Sequence, residues 1–311
     1  MTRMSGSCRA VSVSFLLLAS PGPLSGQTLP EEILTQVLQG ASGLVMDEKE
    51  TSVLLLGSPT LPLVEVNLNG AATAQFLVDL GSNVVIVRQD VLERGAGTVL
   101  FARESRDIGQ FASFRIGAAE YQNVTVGVYP ELDVDGVIGY NLLKYSSFTL
   151  DYPGREFSLH RRALPDPASA ADVLPYTAAD NVPMVEVMLD GTLIVVNLDT
   201  GASEWMTVPP QLAERLAWSS KPAPGRTVWN NQTGDVRILE GRARGALVLG
   251  PLAIDTLLIY VNEDAEHPWL GSSAMNPAVW EFDPENLRLR ITIPAARAFH
   301  QERGGPDVRR R

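Results

Sequence analysis

Cysteine, histidine and long apolar runs are all scarce in this sequence, and each shortage excludes a class of chemistry. The one cysteine, Cys8, precedes a short apolar run near the N-terminus. Beyond it the chain has no thiol for a disulfide, a nucleophile or a thiolate metal site. The three histidines, His160, His267 and His300, lack the spacing of metal ligands. No Gly-rich phosphate loop or dinucleotide fingerprint occurs, so we expect neither a metal nor a cofactor.

Positive charge is also in short supply. The chain has 25 Lys and Arg against 36 Asp and Glu, and its formal net charge is −11. Binding to a phosphate backbone needs clustered Lys and Arg, so nucleic acid is not expected as a partner. With 311 residues, 45% of them hydrophobic, the chain is long enough for two domains of ordinary size.

The N-terminus has the pattern of a secretory signal peptide over residues 1–26. Arg3 and Arg9 form a short basic region, and residues 11–20 are an apolar run too short to span a bilayer. Small and turn-forming residues follow, which places cleavage near Gly26. We therefore expect a secreted or periplasmic protein without a stable membrane anchor after cleavage; a membrane anchor is the alternative.

Most of the remaining chain has a β pattern. From about Ser52, short runs of Val, Ile, Leu and Phe alternate with polar residues between Gly, Asn, Asp and Pro, which is typical of an all-β sandwich or barrel. Before it, residues 27–50 are interpreted as a linker or propeptide with one amphipathic helix over 30–39. Only residues 88–94 and 210–217 look helical further on.

An internal repeat organises the β region. LPLVEVNLNG at 61–70 matches VPMVEVMLDG at 182–191, and four further blocks of similarity follow in the same order. We call residues 61–160 the first copy and residues 182–292 the second copy. Five blocks in one order make a chance similarity improbable, so we expect two similar lobes within one monomeric chain.

The repeat sets the predicted domain boundaries. They are an N-terminal lobe over 51–163, an interlobe linker over 164–180, a C-terminal lobe over 181–295 and a basic tail over 296–311. The tail is interpreted either as a solvated end or as a docking segment.

Each copy places an aspartate directly after an apolar run. These residues are Asp79 and Asp199, and a glycine follows two positions later, at Gly81 and Gly201. An aspartate at the end of a buried strand is costly unless it is hydrogen-bonded or shares its charge. Because a repeat relates the two, we expect their carboxylates to meet and share one proton. One could then activate water while the other donates to a carbonyl; two unrelated turn-forming aspartates are the alternative.

The second motif, DTGAS at 199–203, resembles the Asp-Thr-Gly signature of aspartic peptidases. VIG at 137–139 and WLG at 269–271 are similar to the apolar-apolar-Gly element that crosses behind each catalytic loop in that family. The short lobes look like a retropepsin dimer fused into one chain. The resemblance implies an all-β fold with two similar β-barrel-like lobes related by a pseudo-twofold axis.

The resemblance also implies the site and the substrate. Asp79 and Asp199 would be the catalytic residues of an aspartic endopeptidase that holds a peptide or protein in the interlobe cleft. The residues of the supporting loops would be Gly81, Ser82, Thr200, Gly201 and Ala202.

The first motif departs from the family pattern, because Leu80 stands where the family has Thr or Ser. In the family that hydroxyl joins a hydrogen-bonding grip between the two catalytic loops. Leu80 could pack in an apolar grip instead, with Ser82 hydrogen-bonding Asp79. Alternatively the first site has decayed, and the chain binds peptides without cleaving them. A β-barrel scaffold with no cleft is a third hypothesis.

Two hairpins are candidate flaps over the cleft. One covers residues 103–114 with Gly109 at its tip, and the other covers 226–237 with Gly234; ordinary surface hairpins are the alternative. All five tryptophans lie in the second copy, where we expect most of them to pack in the core.

Overall fold

The structure is a computed structural model in which half of the chain is strand. It describes residues 29–102, 107–170, 172–230, 234–294 and 308–310. Strands make up 50% and helices 13%, which confirms the prediction of a mostly β protein. The described strands form one closed six-stranded mixed barrel and two further sheets. The predicted signal peptide, most of the basic tail and residues 103–106 lie outside the described residues.

The elements up to the end of the first copy follow one another closely. They are α1 (Glu31–Gln39), β1 (Gly43–Val45), β2 (Glu50–Leu54), β3 (Leu63–Leu68), β4 (Ala72–Asp79), β5 (Ile86–Arg88), α2 (Gln89–Arg94), β6 (Thr98–Phe101), β7 (Asp107–Ile116), β8 (Ala119–Tyr129), β9 (Gly136–Gly139), α3 (Tyr140–Leu143), β10 (Ser147–Asp151) and β11 (Glu156–His160).

The linker and the second copy continue the order. They contain β12 (Val173–Pro175), β13 (Met184–Leu189), β14 (Thr192–Asp199), β15 (Met206–Val208), α4 (Pro210–Ala213), β16 (Trp218–Asn230), β17 (Gly234–Ala243), β18 (Leu247–Leu249), β19 (Leu252–Ile254), β20 (Leu258–Asn262), β21 (Trp269–Gly271), α5 (Ser272–Met275), β22 (Val279–Asp283), β23 (Arg288–Thr292) and β24 (Val308–Arg310). Single 3₁₀ turns flank β12 at Pro167–Ser169 and Ala179–Asn181.

The barrel belongs to the first copy. Its strands run in the order β8-β5-β9-β4-β3-β7, and β7 pairs back onto β8 to close it. The pairs β4–β9 and β5–β8 are parallel, and the others are antiparallel. In the second copy a break at residues 244–246 separates β17 from β18, and the strands form an open ten-stranded sheet. The predicted pair of barrel-like lobes is thus one closed barrel and one open sheet.

Both copies begin with the same kind of hairpin. Asn69 and Gly70 link β3 to β4, and Asp190 and Gly191 link β13 to β14, all four with positive φ between 48° and 78°. Asn-Gly and Asp-Gly adopt this conformation readily, and the resulting two-residue turn matches the twist of antiparallel strands. The turn fixes the register that points alternate apolar residues of β3 and β13 into the core.

A six-stranded sheet joins the two copies. Its order is β12-β23-β22-β10-β11-β2, so the central pair β10–β22 brings one strand from each copy together. Phe148 of β10 stacks on Phe282 of β22 with ring centroids 4.6 Å apart. Both side chains are fully buried, and one apolar cluster continues through both copies.

The observed helices agree in part with those predicted from the sequence. Helix α1 and helix α2 form where they were predicted, and α4 ends at Ala213, four residues before the predicted end. Helices α3 and α5 were not predicted. Each has four residues, which is too short to show a helical period in the sequence.

The segment before the first copy is part of the sheets. β1 pairs with β8, and β2 pairs with β11 at the edge of the joining sheet. Residues 43–54 are therefore built into the folded unit.

Among the described residues, no helix combines the length and the apolar character needed to cross a bilayer.

The first predicted flap is wrong as placed. Gly109 lies inside β7, paired with Val99 on one side and Val126 on the other, so it is not at a hairpin tip. β6 ends at Phe101 and β7 begins at Asp107, and residues 103–106 between them lie outside the described residues. In the second copy, β16 and β17 form a long hairpin in which Gly234 opens β17, and the turn itself, residues 231–233, lies outside the described residues.

Candidate active site

Asp79 and Asp199 each end a strand at an equivalent place in their copy. Asp79 ends β4 and pairs with Gly139 of β9, while Asp199 ends β14 and pairs with Gly271 of β21, both in parallel register. Asp79 is only 1% exposed and Asp199 only 4% exposed. The two predicted catalytic residues therefore sit at the carboxyl ends of matching buried strands.

The apolar-Gly elements lie directly behind the two aspartate loops. A Cβ on Gly139 would lie 2.8 Å from the carbonyl oxygen of Ser82, and a Cβ on Gly271 would lie 2.8 Å from that of Ala202. The same two carbonyls accept hydrogen bonds of 2.8 Å from the residues that follow these glycines. Only glycine allows this approach of backbone to backbone.

The loops bring the two carboxyl groups together. A Cβ on Gly81 would lie 2.5 Å from the Asp199 carboxyl carbon, and a Cβ on Gly201 would lie 2.6 Å from that of Asp79. Each carboxyl group therefore packs against the glycine of the other copy's loop. The contacts are reciprocal, as the repeat predicted.

Backbone N–H groups hold the carboxylates in place. Asp79 Oδ1 accepts from Gly81 at 2.8 Å and from Gly201 at 3.2 Å, so both loops bind the same oxygen. Asp199 Oδ1 accepts from Ala202 at 2.9 Å. Asp79 Oδ2 is buried and has no hydrogen-bond partner among the described residues. One oxygen of Asp79 is thus fixed by both loops, and the Asp79 carboxyl group also interacts with that of Asp199.

Burial raises the pKa of both aspartates. It raises the pKa of Asp79 to about 6, against the lowering effect of the N–H groups of Gly81 and Gly201. The pKa of Asp199 is held well above its usual value, first by burial and then by the charge of Asp79. The hydrogen bond from Ala202 lowers this pKa, and the charge of Glu204 raises it by a smaller amount. Two carboxyl groups this close cannot both ionise easily, so the pair keeps one proton over the pH range between its two ionisations.

Thr200 links the two loops through its hydroxyl group. Thr200 Oγ1 donates to the carbonyl oxygen of Val78 at 2.6 Å and accepts from the N–H of Leu80 at 2.9 Å. Leu80 makes no reciprocal bond, and its side chain is fully buried in the apolar cluster. In this contact between the loops, Thr200 of the second copy therefore contributes hydrogen bonds, whereas Leu80 of the first copy contributes only an apolar side chain.

Ser82 bonds to Asp79 through its backbone N–H, which donates to the carbonyl oxygen of Asp79 at 3.3 Å, and not through its hydroxyl group. The Ser82 hydroxyl donates to the carbonyl oxygen of Val84 at 2.8 Å, within its own loop. The remaining predicted loop residues, Gly81, Thr200, Gly201 and Ala202, all contact the opposite loop or a site carboxylate.

The side chains beside Asp79 form what we call the first wall: Leu77, Val84 and Val137. They belong to a separate apolar cluster that includes Val37 of α1. Asn141 and Asn181 donate to the carbonyl oxygens of Val37 at 2.8 Å and Leu38 at 3.0 Å. Helix α1 is thus packed against the first wall and tied to it by two side-chain amides.

The equivalent positions beside Asp199 form the second wall: Asn197, Glu204 and Trp269. Glu204 and Trp269 are each 7% exposed, and Trp269 packs with Ala202 and Ala265. The buried atoms Asn197 Oδ1 and Trp269 Nε1 have no hydrogen-bond partner among the described residues. The first wall is therefore apolar and covered by α1, whereas the second wall contains two buried polar atoms, Asn197 Oδ1 and Trp269 Nε1, without a hydrogen-bond partner among the described residues.

The sequence analysis missed three contributors to this region. It assigned no role to α1, to the second wall or to Tyr152, whose buried phenol has a raised pKa because of burial and the charges of Asp199 and Asp79. The second wall could have been found by comparing residues at equal distances from Asp79 and Asp199 in the two copies.

Within the described part of the chain, no group of three or more His, Cys, Asp or Glu side chains is placed to hold a metal ion. A scan against protein-family models finds no match for this chain. A search of curated proteins likewise finds no matching sequence.

Proposed function

We propose that this protein is an aspartic endopeptidase of the retropepsin-like type, with Asp79 and Asp199 as its catalytic residues. The observation that carries the proposal is the reciprocal packing of each carboxyl group against the glycine of the opposite loop. Two buried carboxylates from separate copies meet there with raised pKa values, which is the arrangement that lets a pair share one proton.

The proposed mechanism uses a water molecule as the nucleophile. Ionised Asp79 takes a proton from the water molecule while the water oxygen attacks the carbonyl carbon of the scissile peptide bond. In the same step Asp199 gives its proton to the carbonyl oxygen. In the collapse of the tetrahedral intermediate, Asp79 protonates the leaving nitrogen and Asp199 regains a proton from a hydroxyl group. The C–N bond breaks, and the pair returns to its starting state.

The pairing of the central strands supports two lobes related by a pseudo-twofold axis. Phe148 of β10 pairs with Phe282, and Leu150 pairs with Trp280. In the repeat, Phe148 corresponds to Trp280 and Leu150 to Phe282, counted back from Asp151 and Asp283. Phe148 therefore pairs with the counterpart of Leu150, and Leu150 pairs with the counterpart of Phe148, as a twofold axis between the strands requires.

Leu80 is compatible with activity in this proposal. The single hydroxyl of Thr200 satisfies both Val78 and Leu80 across the interface, and the Leu80 side chain fills apolar space. The second hydroxyl, which Leu80 replaces, is the observation behind the second candidate function, a protein that binds peptides without cleaving them. The two functions differ in turnover and not in affinity.

We propose that the chain acts as a monomer on peptides or proteins bound between the lobes, and that it is secreted or periplasmic. The apolar run at residues 11–20 after Arg3 and Arg9 supports export.

Digestion of a mixed peptide library between pH 3 and pH 8 tests the proposal. New termini detected by mass spectrometry should appear with the wild-type protein and with Asp47→Asn, which changes an exposed aspartate away from the site. They should disappear with Asp199→Asn. A library bound but left intact at every pH would favour the binding protein, and cleavage that survives Asp199→Asn would refute the catalytic pair.

A further inference from the structure

We propose that the second wall is a subsite for a lysine or arginine side chain of the substrate peptide. This inference rests on the proposed function, because it takes the cleft beside Asp199 as the place where a peptide binds. It adds the class of residue that the cleft selects.

The second wall lies on the face that carries Asp199. Asn197 is two residues before Asp199 on β14, and alternate side chains of a strand point to the same face. Trp269 is the register partner of Asn197 on β21. A Cβ on Gly271, two residues beyond Trp269, would collide with the carbonyl oxygen of Glu204, so the Glu204 backbone lies against the same face. The charge of the Glu204 side chain acts on Asp199.

The chemistry of this wall matches a cation. Glu204 carries a buried negative charge close enough to raise the pKa of Asp199, after the larger effects of burial and of Asp79. Asn197 Oδ1 is a buried acceptor without a donor, and Lys and Arg bring only donors. An indole ring attracts a cation, and the N–H of Trp269, which has no partner among the described residues, can donate to a peptide carbonyl.

The first copy shows that the fold does not require these groups. Leu77, Val84 and Val137 stand at the equivalent positions and are buried among apolar side chains that include Val37. Buried polar atoms without partners destabilise a protein, so their presence on one wall alone points to a ligand that satisfies them. The net charge of −11 would also steer cationic peptides toward the protein.

The test uses peptide pairs that differ only in lysine against norleucine, scanned through the positions on either side of the cleaved bond. At one position the wild type should prefer lysine in kcat/KM by about tenfold or more, the size expected of a hydrogen-bonded charge. Glu204→Gln should abolish the preference. The ratio between paired peptides cancels any change in the pKa of Asp199, since both peptides meet the same enzyme.

Two variants serve as controls. Glu186→Gln removes a charge from an exposed site on the second copy and should keep the preference, which separates a local contact from net charge. Asp79→Asn provides a non-hydrolysing protein for fluorescence anisotropy, in which the lysine peptide should bind more tightly. Glu204→Gln in that background should remove the difference.

The outcomes separate this inference from the peptidase proposal. Hydrolysis without a lysine preference, or with one that persists in Glu204→Gln, overturns the subsite and leaves the catalytic pair standing. Lysine-selective binding that depends on Glu204 but without turnover supports the subsite and refutes the peptidase. If the lysine peptide is neither cleaved nor bound in preference to the norleucine peptide, the subsite is overturned.

Discussion

The two copies of the repeat build the same backbone around different side chains. Asp79 and Asp199, their glycines and the elements behind them have matching contacts. Around them the first copy is apolar and covered by α1, whereas the second has the hydroxyl of Thr200 and the polar second wall. The geometry of the pair is therefore symmetric, whereas its surroundings differ, being apolar beside Asp79 and polar beside Asp199.

Among the residues around the two aspartates, the reciprocal glycines give the largest expected effect. A Cβ at Gly81 or Gly201 would push the opposite carboxyl group out of place. We expect Gly81→Ala and Gly201→Ala each to reduce kcat/KM by about a hundredfold or more, since a displacement of 1 Å in an active site can cost that much. Similar losses in both variants are predicted. A variant with full activity would break the symmetry on which the comparison depends.

Thr200→Val tests the unequal grip between the loops. It leaves the buried N–H of Leu80 and carbonyl of Val78 without their partner, so we expect about 2–4 kcal/mol of lost unfolding free energy. Thr200→Ser keeps the hydroxyl and should lose much less in urea denaturation. Leu80→Thr, on the opposite loop, puts a smaller, polar side chain in a fully buried apolar site and should also lose about 2–4 kcal/mol, through lost packing and not through a lost hydrogen bond. Equal stability of Thr200→Val and Thr200→Ser would contradict the grip.

The sequence predicted the symmetric part of this comparison and missed most of the asymmetric part. The repeat located Asp79, Asp199 and the glycines because equivalent positions in a duplication occupy equivalent places in the fold. It could not show that Ser82 would bond to Val84, since a serine in a turn has several carbonyls within reach. Nor could it place α1 on the first wall, because an amphipathic helix does not specify the surface that buries its apolar face.

The raised pKa of Asp79 predicts how stability depends on pH. Its folded-state pKa, about 6, lies above the unfolded value, so the folded state favours the protonated form. The contribution of Asp79 to the unfolding free energy should therefore be greatest below about pH 4 and fall by on the order of 2 kcal/mol as the pH rises through about 6. Asp79→Asn should flatten this fall, and Asp47→Asn should preserve it. A rise in stability over that range would contradict the sign of the shift.

The smallest expected effect concerns α1. Val37 is 1% exposed against the first wall, so Val37→Ala should reduce unfolding free energy by about 1–2 kcal/mol. Val195→Ala, at a residue 45% exposed on the second copy, should change it by less than about 0.5 kcal/mol. Thermal or urea unfolding of both variants measures the contrast. Equal effects would mean that α1 adds nothing specific to the first copy.

A double-variant comparison of kcat/KM on one cleaved peptide tests most directly whether the two aspartates act as a unit. Asp79→Asn and Asp199→Asn should each lower kcat/KM by about a thousandfold, within the range of general acid–base catalysis. If the carboxylates share one proton, the double variant should lose no more than either single variant. Losses that multiply in the double variant, or a single variant that keeps its activity, would contradict the shared pair.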